Sequence, residues 1–209
     1  LYPTEQPAAR ARLCLSCHLG DNDRVAAHRL MGAGHPRLAF ELDTFTVLEP
    51  AHYRVDADYA RRKQTPSHAE TWAVGQVAAA ERLLGLLADD PWQVNAAHTD
   101  FAFDDCYGCH HPLDAPRWTP RASTGLPPGV PHYNDANLLM LIALMDAVDA
   151  AAGKSLRDGL LALHKASLEP GAALKSAASA LRKAVAACGA ALPGKRLGDA
   201  EVKQVLQNV

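Results

Sequence analysis

The sequence predicts an all-α protein with few or no strands. Apolar residues recur at helical spacing in several segments, as Leu138, Leu141 and Met145 do. Helix start signals stand at the right places, and Ser67 and Glu70 have the spacing of a capping box. No segment shows the sustained alternation of apolar and polar residues that is typical of a half-buried strand.

The boundaries of the predicted helices follow from start and stop signals along the chain. Gly20-Asp21-Asn22-Asp23 is a turn that can cap a short helix, and Pro36 suits the first position of the next one. Residues 1–12 are expected to form a surface lead-in, and the Pro- and Gly-rich stretch 112–131 is expected to be extended. The predicted helices cover residues 24–31, 36–48, 67–89, 135–152, 171–188 and 199–207, with one more beginning at Ser155.

Composition divides the chain into two parts. Residues 1–133 contain the Cys and His motifs described below, whereas residues 134–209 are rich in alanine. Small side chains allow helices to approach closely, so we expect the second part to be a helical bundle that packs on the first. A chain of 209 residues can bury one good core or two small ones, and we expect one compact unit.

Charge and hydropathy limit the classes of partner. The net charge is −2 and the pI is near 6.6, so nothing suggests binding to nucleic acid. We expect no membrane span, because no apolar run is long enough to cross a bilayer. The chain opens Leu-Tyr-Pro-Thr without the basic and apolar regions of a signal peptide.

Two pentapeptides share the pattern Cys-x-x-Cys-His, which is the attachment site of a c-type haem. Positions i, i+3 and i+4 of a helical turn share one face, so two thiols can reach the vinyl groups of one porphyrin edge while the imidazole binds iron. We therefore predict two covalently bound haem c groups, with the two histidines as proximal iron ligands. The six residues are Cys14, Cys17 and His18, and Cys106, Cys109 and His110.

Other interpretations of the motif fit less well. The two copies lie too far apart in the chain for a zinc ribbon, and no strand–helix–strand pattern flanks either copy as a thioredoxin-like site requires. A plain disulfide would not need a histidine after the second cysteine both times. Because thioether attachment takes place outside the bacterial cytoplasm, we expect an exported, periplasmic protein.

The residue opposite each proximal histidine decides what the iron can do. His35 precedes Pro36, which holds it in an extended conformation that suits the presentation of an imidazole to a metal. His98 and His132 lie near the second motif and are further candidates. His111 cannot easily reach the iron bound by its neighbour, so a hydrogen-bonding role is favoured. Surface or capping roles are favoured for His68 and His164, and core roles for Met140 and Met145, while Met31 lies next to two better candidates.

The segments around both motifs resemble bacterial multihaem c-type cytochromes, of the broad class related to the tetrahaem cytochromes of ammonia oxidation. The first reads CLSCHLG and then AHRLMGAGHPRLAFEL, and the second reads DDCYGCHHPL. The resemblance covers roughly residues 12–130. It implies periplasmic electron transfer, with axial histidines that correspond to His28, His35 and His52. On one continuous helix His28 and His35 would lie about 10 Å apart along the axis, so one segment could serve both irons.

The leading hypothesis is an electron carrier with two bis-histidine haems and redox proteins as partners, rather than an enzyme. The alternative is a haem enzyme or small-ligand binder, in which one iron is open to peroxide or nitrogen oxides and Tyr53, Arg54, His98 or His132 lines the pocket. Cys188 is left outside the motifs. It is expected to be a buried thiol, with an intermolecular disulfide and hence an oligomer as the open alternative.

Overall fold

The computed structural model describes residues 2–48, 55–63, 65–89, 91–95, 98–112, 124–127, 129–169, 171–193, 195 and 197–208; of residues 93–95 and 98 only the backbone is described. Within these ranges the regular structure consists of nine α-helices, two short strands and two single 3₁₀ turns. The predicted all-α class is confirmed. None of the helices in the described ranges is both long enough and apolar enough to cross a membrane.

The helices and strands are numbered in the order in which they occur along the chain. They are α1 (Pro7–His18), α2 (His28–Gly32), α3 (Leu42–Leu48), α4 (Ala57–Arg62), α5 (His68–Asp89), β1 (Gln93–Asn95), β2 (His98–Thr99), α6 (Ala136–Val148), α7 (Ala150–Ser167), α8 (Ala172–Ala191) and α9 (Asp199–Asn208). The strands β1 and β2 pair antiparallel, and the 3₁₀ turns are Phe101–Phe103 and Cys106–Gly108.

Helix α5 lies at the centre of the molecule. It packs against α6 and α8 of the C-terminal bundle and also against α1 and α3, which precede it. The capping box predicted at its start is confirmed. The Ser67 N–H donates to Glu70 Oε2 at 2.7 Å, and the Glu70 N–H donates to Ser67 Oγ at 3.2 Å.

The main hydrophobic core lies between α5 and the bundle. Its central side chains, which include Leu84, Leu141 and Leu156, are fully buried. Helices α6, α7 and α8 pack side by side in chain order, and α9 closes the bundle against α6. Apolar residues at helical spacing therefore account for this half of the fold, as the sequence predicts.

A second, smaller hydrophobic cluster joins α1 and α3 to α5. It consists of Ala11, Leu15, Leu42, Ala78 and Ala79. Gly75 of α5 makes this approach possible, because a Cβ there would lie 2.7 Å from the Cβ of Leu42. Residues 21–41, which lie between Leu15 and Leu42 in the chain, include no buried residue. This segment touches the clusters only through half-buried side chains, Val25 against the main core and Phe40 against the smaller cluster.

Three predictions for the N-terminal part are wrong, one for a lead-in and two for helix starts. Residues 1–12 do not form only a lead-in, since α1 begins at Pro7 and buries Ala9 against the core. The helix predicted over 24–31 begins at His28, because the Asp21 side chain accepts from the N–H groups of Asp23 and Arg24 and closes a turn.

The helix predicted from Pro36 begins only at Leu42. The carboxylate of Glu41 accepts from the N–H groups of Asp43 and Thr44, and so caps the helix at that point. Residues 35–41 are consequently irregular, and the carbonyls of Pro36 and Ala39 accept from histidine side chains.

The break predicted between the helix over 135–152 and the helix from Ser155 is also wrong, because Gly153 lies inside α7. The break lies four residues earlier, at Asp149, which ends α6 and begins α7, where its side chain accepts from the Ala152 N–H at 3.2 Å. Gly153 is needed for a different reason. A Cβ there would overlap the Asp146 carboxylate, which Arg157 of the next turn binds with both guanidinium nitrogens.

The connection between α5 and α6 differs from the expected strand-free segment. It contains the short hairpin of β1 and β2, and residues 103–105 then run antiparallel to residues 132–134 through hydrogen bonds between Phe103 and Asn134 and between Asp105 and His132. The predicted extended stretch 112–131 lies largely outside the described residues.

Candidate haem-binding site

The first Cys-x-x-Cys-His motif forms the last turn and a half of α1. Leu15, inside the motif, is buried against α5 and so fixes which face of the helix turns outward. Cys14 is half-buried and Cys17 is exposed on that outward face. Gly20 ends the segment with φ +99°, a conformation that favours glycine. The helical turn expected for this motif is confirmed.

The imidazole of His18 is held in a defined tautomer and orientation. Its Nδ1 lies 3.1 Å from the carbonyl oxygen of Ala39, in the irregular segment before α3. A carbonyl can only accept, so Nδ1 carries the proton and Nε2 keeps its lone pair for a metal. The rings of Phe40 and Phe45 each lie 5.1 Å from the His18 ring, centre to centre.

The second motif has a tighter backbone than the first. Cys106–Gly108 form a 3₁₀ turn, which Asp105 caps by accepting from the Tyr107 N–H at 3.3 Å. The His110 N–H donates to the Cys106 carbonyl at 2.7 Å, so the chain turns tightly from the first cysteine to the histidine. Cys106 is half-buried, and Cys109 is exposed.

His28 of α2 lies across from His110 of the second motif. The two ring centres are 6.2 Å apart and the ring planes differ by 41°. Two imidazoles bound to one metal ion have their ring centres at roughly this separation. The distance is the sum of two metal–nitrogen bonds of about 2 Å and the distance from nitrogen to ring centre in each imidazole. Within the described part of the chain neither imidazole has a hydrogen bond to its ring nitrogens. The residues at the second motif therefore fit a haem iron with two axial histidines.

The backbone and the ring of His28 are both held by the segment that leads into the second motif. The His28 N–H donates to Asp100 Oδ1 at 2.8 Å, and the Phe101 ring meets the His28 ring edge to face at 5.6 Å. Sequence reasoning missed Asp100 and Phe101. No local signal could have found them, because 72 positions separate His28 from Asp100.

His35 does not continue the helix that carries His28. α2 ends at Gly32 and Gly34 has φ +103°, so the spacing of about 10 Å expected for one continuous helix does not apply. The His35 Nδ1 donates to the Pro36 carbonyl at 2.7 Å, which leaves Nε2 as the nitrogen that can bind a metal. His111 has the same arrangement, with Nδ1 donating to the Pro112 carbonyl at 2.9 Å.

The three remaining candidates are placed as follows. His132 Nε2 lies 3.4 Å from Asp105 Oδ2, and its ring meets the buried His164 ring edge to face at 5.8 Å. His132 is thus directed to the acid beside Cys106 and to the bundle. His98 begins β2, and His52 lies outside the described residues, as do Tyr53 and Arg54.

A cavity of about 380 Å³ opens beside His18 and extends toward the second motif. Met31, Arg37, Phe40, Asp105 and Asn134 are among the residues that line it. Its walls combine apolar side chains with a few polar ones, which is the usual character of a cofactor site. Met31 and Arg37 were not among the ligand candidates favoured from the sequence.

The turn after the first motif is tied to the approach to the second. The Trp92 indole N–H donates to the Asp21 carbonyl at 2.7 Å. A hydrogen bond from the Asp23 N–H lowers the pKa of the Asp21 carboxyl, and the Arg24 guanidinium lowers it further. Asp21 is therefore an anion that closes the turn, and the two motifs share one framework.

A metal ion held by protein side chains alone is a separate possibility. In the described ranges no group of three or more His, Cys, Asp or Glu side chains is arranged to hold a metal ion. A haem iron makes a smaller demand, because the porphyrin nitrogens fill the other positions and the protein supplies only axial ligands.

Comparison with known proteins gives no match. No protein-family model, no curated protein and no solved structure matches this chain. The resemblance to multihaem cytochromes is an interpretation of the two motif segments.

Proposed function

We propose that this chain is a dihaem c-type cytochrome that transfers electrons in the periplasm. Cys14 and Cys17 would hold one haem covalently, and Cys106 and Cys109 the other, with His18 and His110 as proximal ligands. Redox proteins would be its partners.

The observation that supports this proposal best is the pairing of His28 with His110. The ring centres of two imidazoles from distant parts of the chain lie 6.2 Å apart, next to the cysteines of a haem-attachment motif. A structural role for this pair is hard to justify, since both histidines are exposed and solvated imidazoles gain little from meeting. Ligation of one iron from both sides explains why the chain brings them together.

The haem, when bound through two axial histidines, supplies a one-electron couple of low potential. The protein residues would hold the axial histidines in place. The carbonyl of Ala39 holds the His18 proton on Nδ1, and Asp100 and Phe101 hold His28 in place. Fixed ligands keep the coordination unchanged between oxidation states, which is what an electron carrier requires.

The experiment that tests the proposal begins with export of the chain in a host that attaches haem c. A pyridine haemochrome assay should give two haems per chain, and mass spectrometry should show both attached to the motif cysteines. EPR of the oxidised protein should show a low-spin bis-histidine signal from the second haem. Purified protein without attached haem would overturn the proposal.

A second candidate function is small-ligand binding at the first haem, with peroxide or nitrogen oxides as ligands. The observation that favours it is the difference between the two motifs. His110 faces an imidazole, whereas His18 is next to Phe40 and Phe45 and opens on a cavity lined by Arg37 and Asn134. Addition of carbon monoxide, nitric oxide and cyanide separates the two functions. An electron carrier with two histidines on each iron binds them only slowly, as a histidine leaves the iron, whereas a ligand-binding protein gives rapidly altered absorption from one haem only.

A further inference from the structure

The carboxylate of Asp100 joins the start of α2 to the second motif. Its Oδ1 accepts from the His28 N–H at 2.8 Å and from the Ala102 N–H at 2.8 Å. Ala102 belongs to the 3₁₀ turn that leads into Cys106. One side chain therefore binds the first residue of α2 and the approach to the second motif at the same time.

Helix α2 has few other interactions that could fix its position. It has five residues and none of them is buried. Its N-cap is Ala27, which has no side chain that could accept a hydrogen bond. A helix of this length is unstable alone, and its first N–H groups need acceptors. Asp100 supplies such an acceptor from a distant part of the chain.

Asp100 is itself anchored. Its N–H donates to the Trp92 carbonyl at 3.0 Å, and its carbonyl accepts from the Phe103 N–H at 3.1 Å. The next residue, Phe101, lies against the ring of His28. Two adjacent residues thus hold the backbone and the ring of one histidine from a fixed support.

We propose that Asp100 is a positioning residue, which holds the imidazole of His28 opposite His110 so that both can bind the iron of the second haem. This inference rests on the proposed function. Without the carboxylate, α2 moves more freely and His28 leaves the iron more often. An external ligand such as carbon monoxide can bind only in those intervals, so its rate of binding measures how well His28 is held.

The test compares three variants of the haem-loaded, full-length protein with the wild type. Asp100→Ala removes the acceptor, and Asp100→Asn keeps an acceptor oxygen. Asp56→Ala is the matched control, because Asp56 Oδ1 accepts from the Tyr59 N–H at the same distance of 2.8 Å, at the start of α4. Carbon monoxide binding to the reduced protein is followed by stopped flow, and EPR of the oxidised protein reports the ligands of the second haem.

We expect Asp100→Ala to bind carbon monoxide about ten-fold faster or more, since a hydrogen bond to a charged acceptor is lost. Asp100→Asn should stay within about three-fold of the wild type, and Asp56→Ala should be unchanged. Asp100→Glu, which moves the carboxylate by one methylene, should give an intermediate rate, and it provides the test if Asp100→Ala does not fold.

His28→Ala serves as the reference in which the second iron lacks this ligand. It separates a failure of the role of Asp100 from a failure of His28 as the ligand. If it binds carbon monoxide rapidly while the Asp100 variants behave as wild type, the role of Asp100 is overturned and the proposed function stands. If His28→Ala also leaves the EPR spectrum and the rate unchanged, His28 is not the ligand and the positioning role fails with it.

Discussion

The C-terminal bundle and the N-terminal segment 21–41 differ in what organises them. In the bundle, Leu156, Leu160 and Leu163 of α7 are all at most 1% exposed. In the segment 21–41 no residue is buried, and Leu30 is 46% exposed. The bundle is thus determined by apolar contacts within the chain. The segment instead combines directed hydrogen bonds around histidines with two half-buried contacts, from Val25 to the main core and from Phe40 to the smaller cluster.

The comparison predicts that equal truncations have very unequal effects in the two regions. Leu156→Ala should lower the free energy of unfolding by about 2–5 kcal/mol, because it leaves a cavity in a closed core. Leu30→Ala in the protein without haem should change it by less than about 0.5 kcal/mol. Urea unfolding followed by far-UV circular dichroism measures both. Equal losses would show that the segment has a core of its own.

Haem attachment should stabilise residues 21–41 and so reduce the difference in local stability between this segment and the bundle. A variant with serine at Cys14, Cys17, Cys106 and Cys109 provides the haem-free protein. We expect amide hydrogen exchange in residues 21–41 to be about ten-fold slower or more in the haem-loaded protein, and exchange in α7 and α8 to be little changed. Exchange rates in residues 21–41 that do not respond to haem would contradict this account of the segment.

Acid should affect the bundle through Asp149. The Ala152 N–H lowers the pKa of this carboxyl, and Lys195, 3.3 Å away, lowers it further. Because the pKa is lower in the folded protein, the carboxylate stabilises the fold above its ordinary pKa of about 4, and this is lost as the pH falls through the folded value.

Asp149→Asn should therefore lower the melting temperature at pH 7 and have little effect near pH 3. The matched control is Asp158→Asn, which removes an exposed carboxylate that pairs with Lys154 on the same helix. Its melting temperature should change little at either pH. A pH-independent loss for Asp149→Asn would show that its charge is not what stabilises the bundle.

The smallest expected effect is at Cys188, which lies in the bundle and is 5% exposed. Burial raises the pKa of its thiol, and the Asp149 carboxylate raises it further, so the reactive thiolate is scarce. Iodoacetamide at pH 8 should label Cys188 slowly in the native protein and readily in urea. Rapid native labelling would mean that the bundle opens locally, which an intermolecular disulfide at this position would also require.

The sequence was informative where the determinants of structure are local. Helical periodicity and the Ser67–Glu70 capping box predicted the position of α5, and the spacing of Cys14, Cys17 and His18 predicted one face of a helical turn. The start of α3 could not be predicted, since both Pro36 and Glu41 can begin a helix. The contact between His28 and Asp100 has no local signature, because it depends on how α2 lies against a distant turn.

The glycine at position 75 has a consequence for the surroundings of the first proximal histidine. Gly75 sets how closely α3 approaches α5, and α3 carries Phe45, which lies against His18. The absence of a Cβ at Gly75 therefore helps to set the distance between the Phe45 ring and His18, a candidate iron ligand. A residue outside the Cys-x-x-Cys-His motif would thereby influence the polarity around His18, and with it the redox potential of a haem bound there.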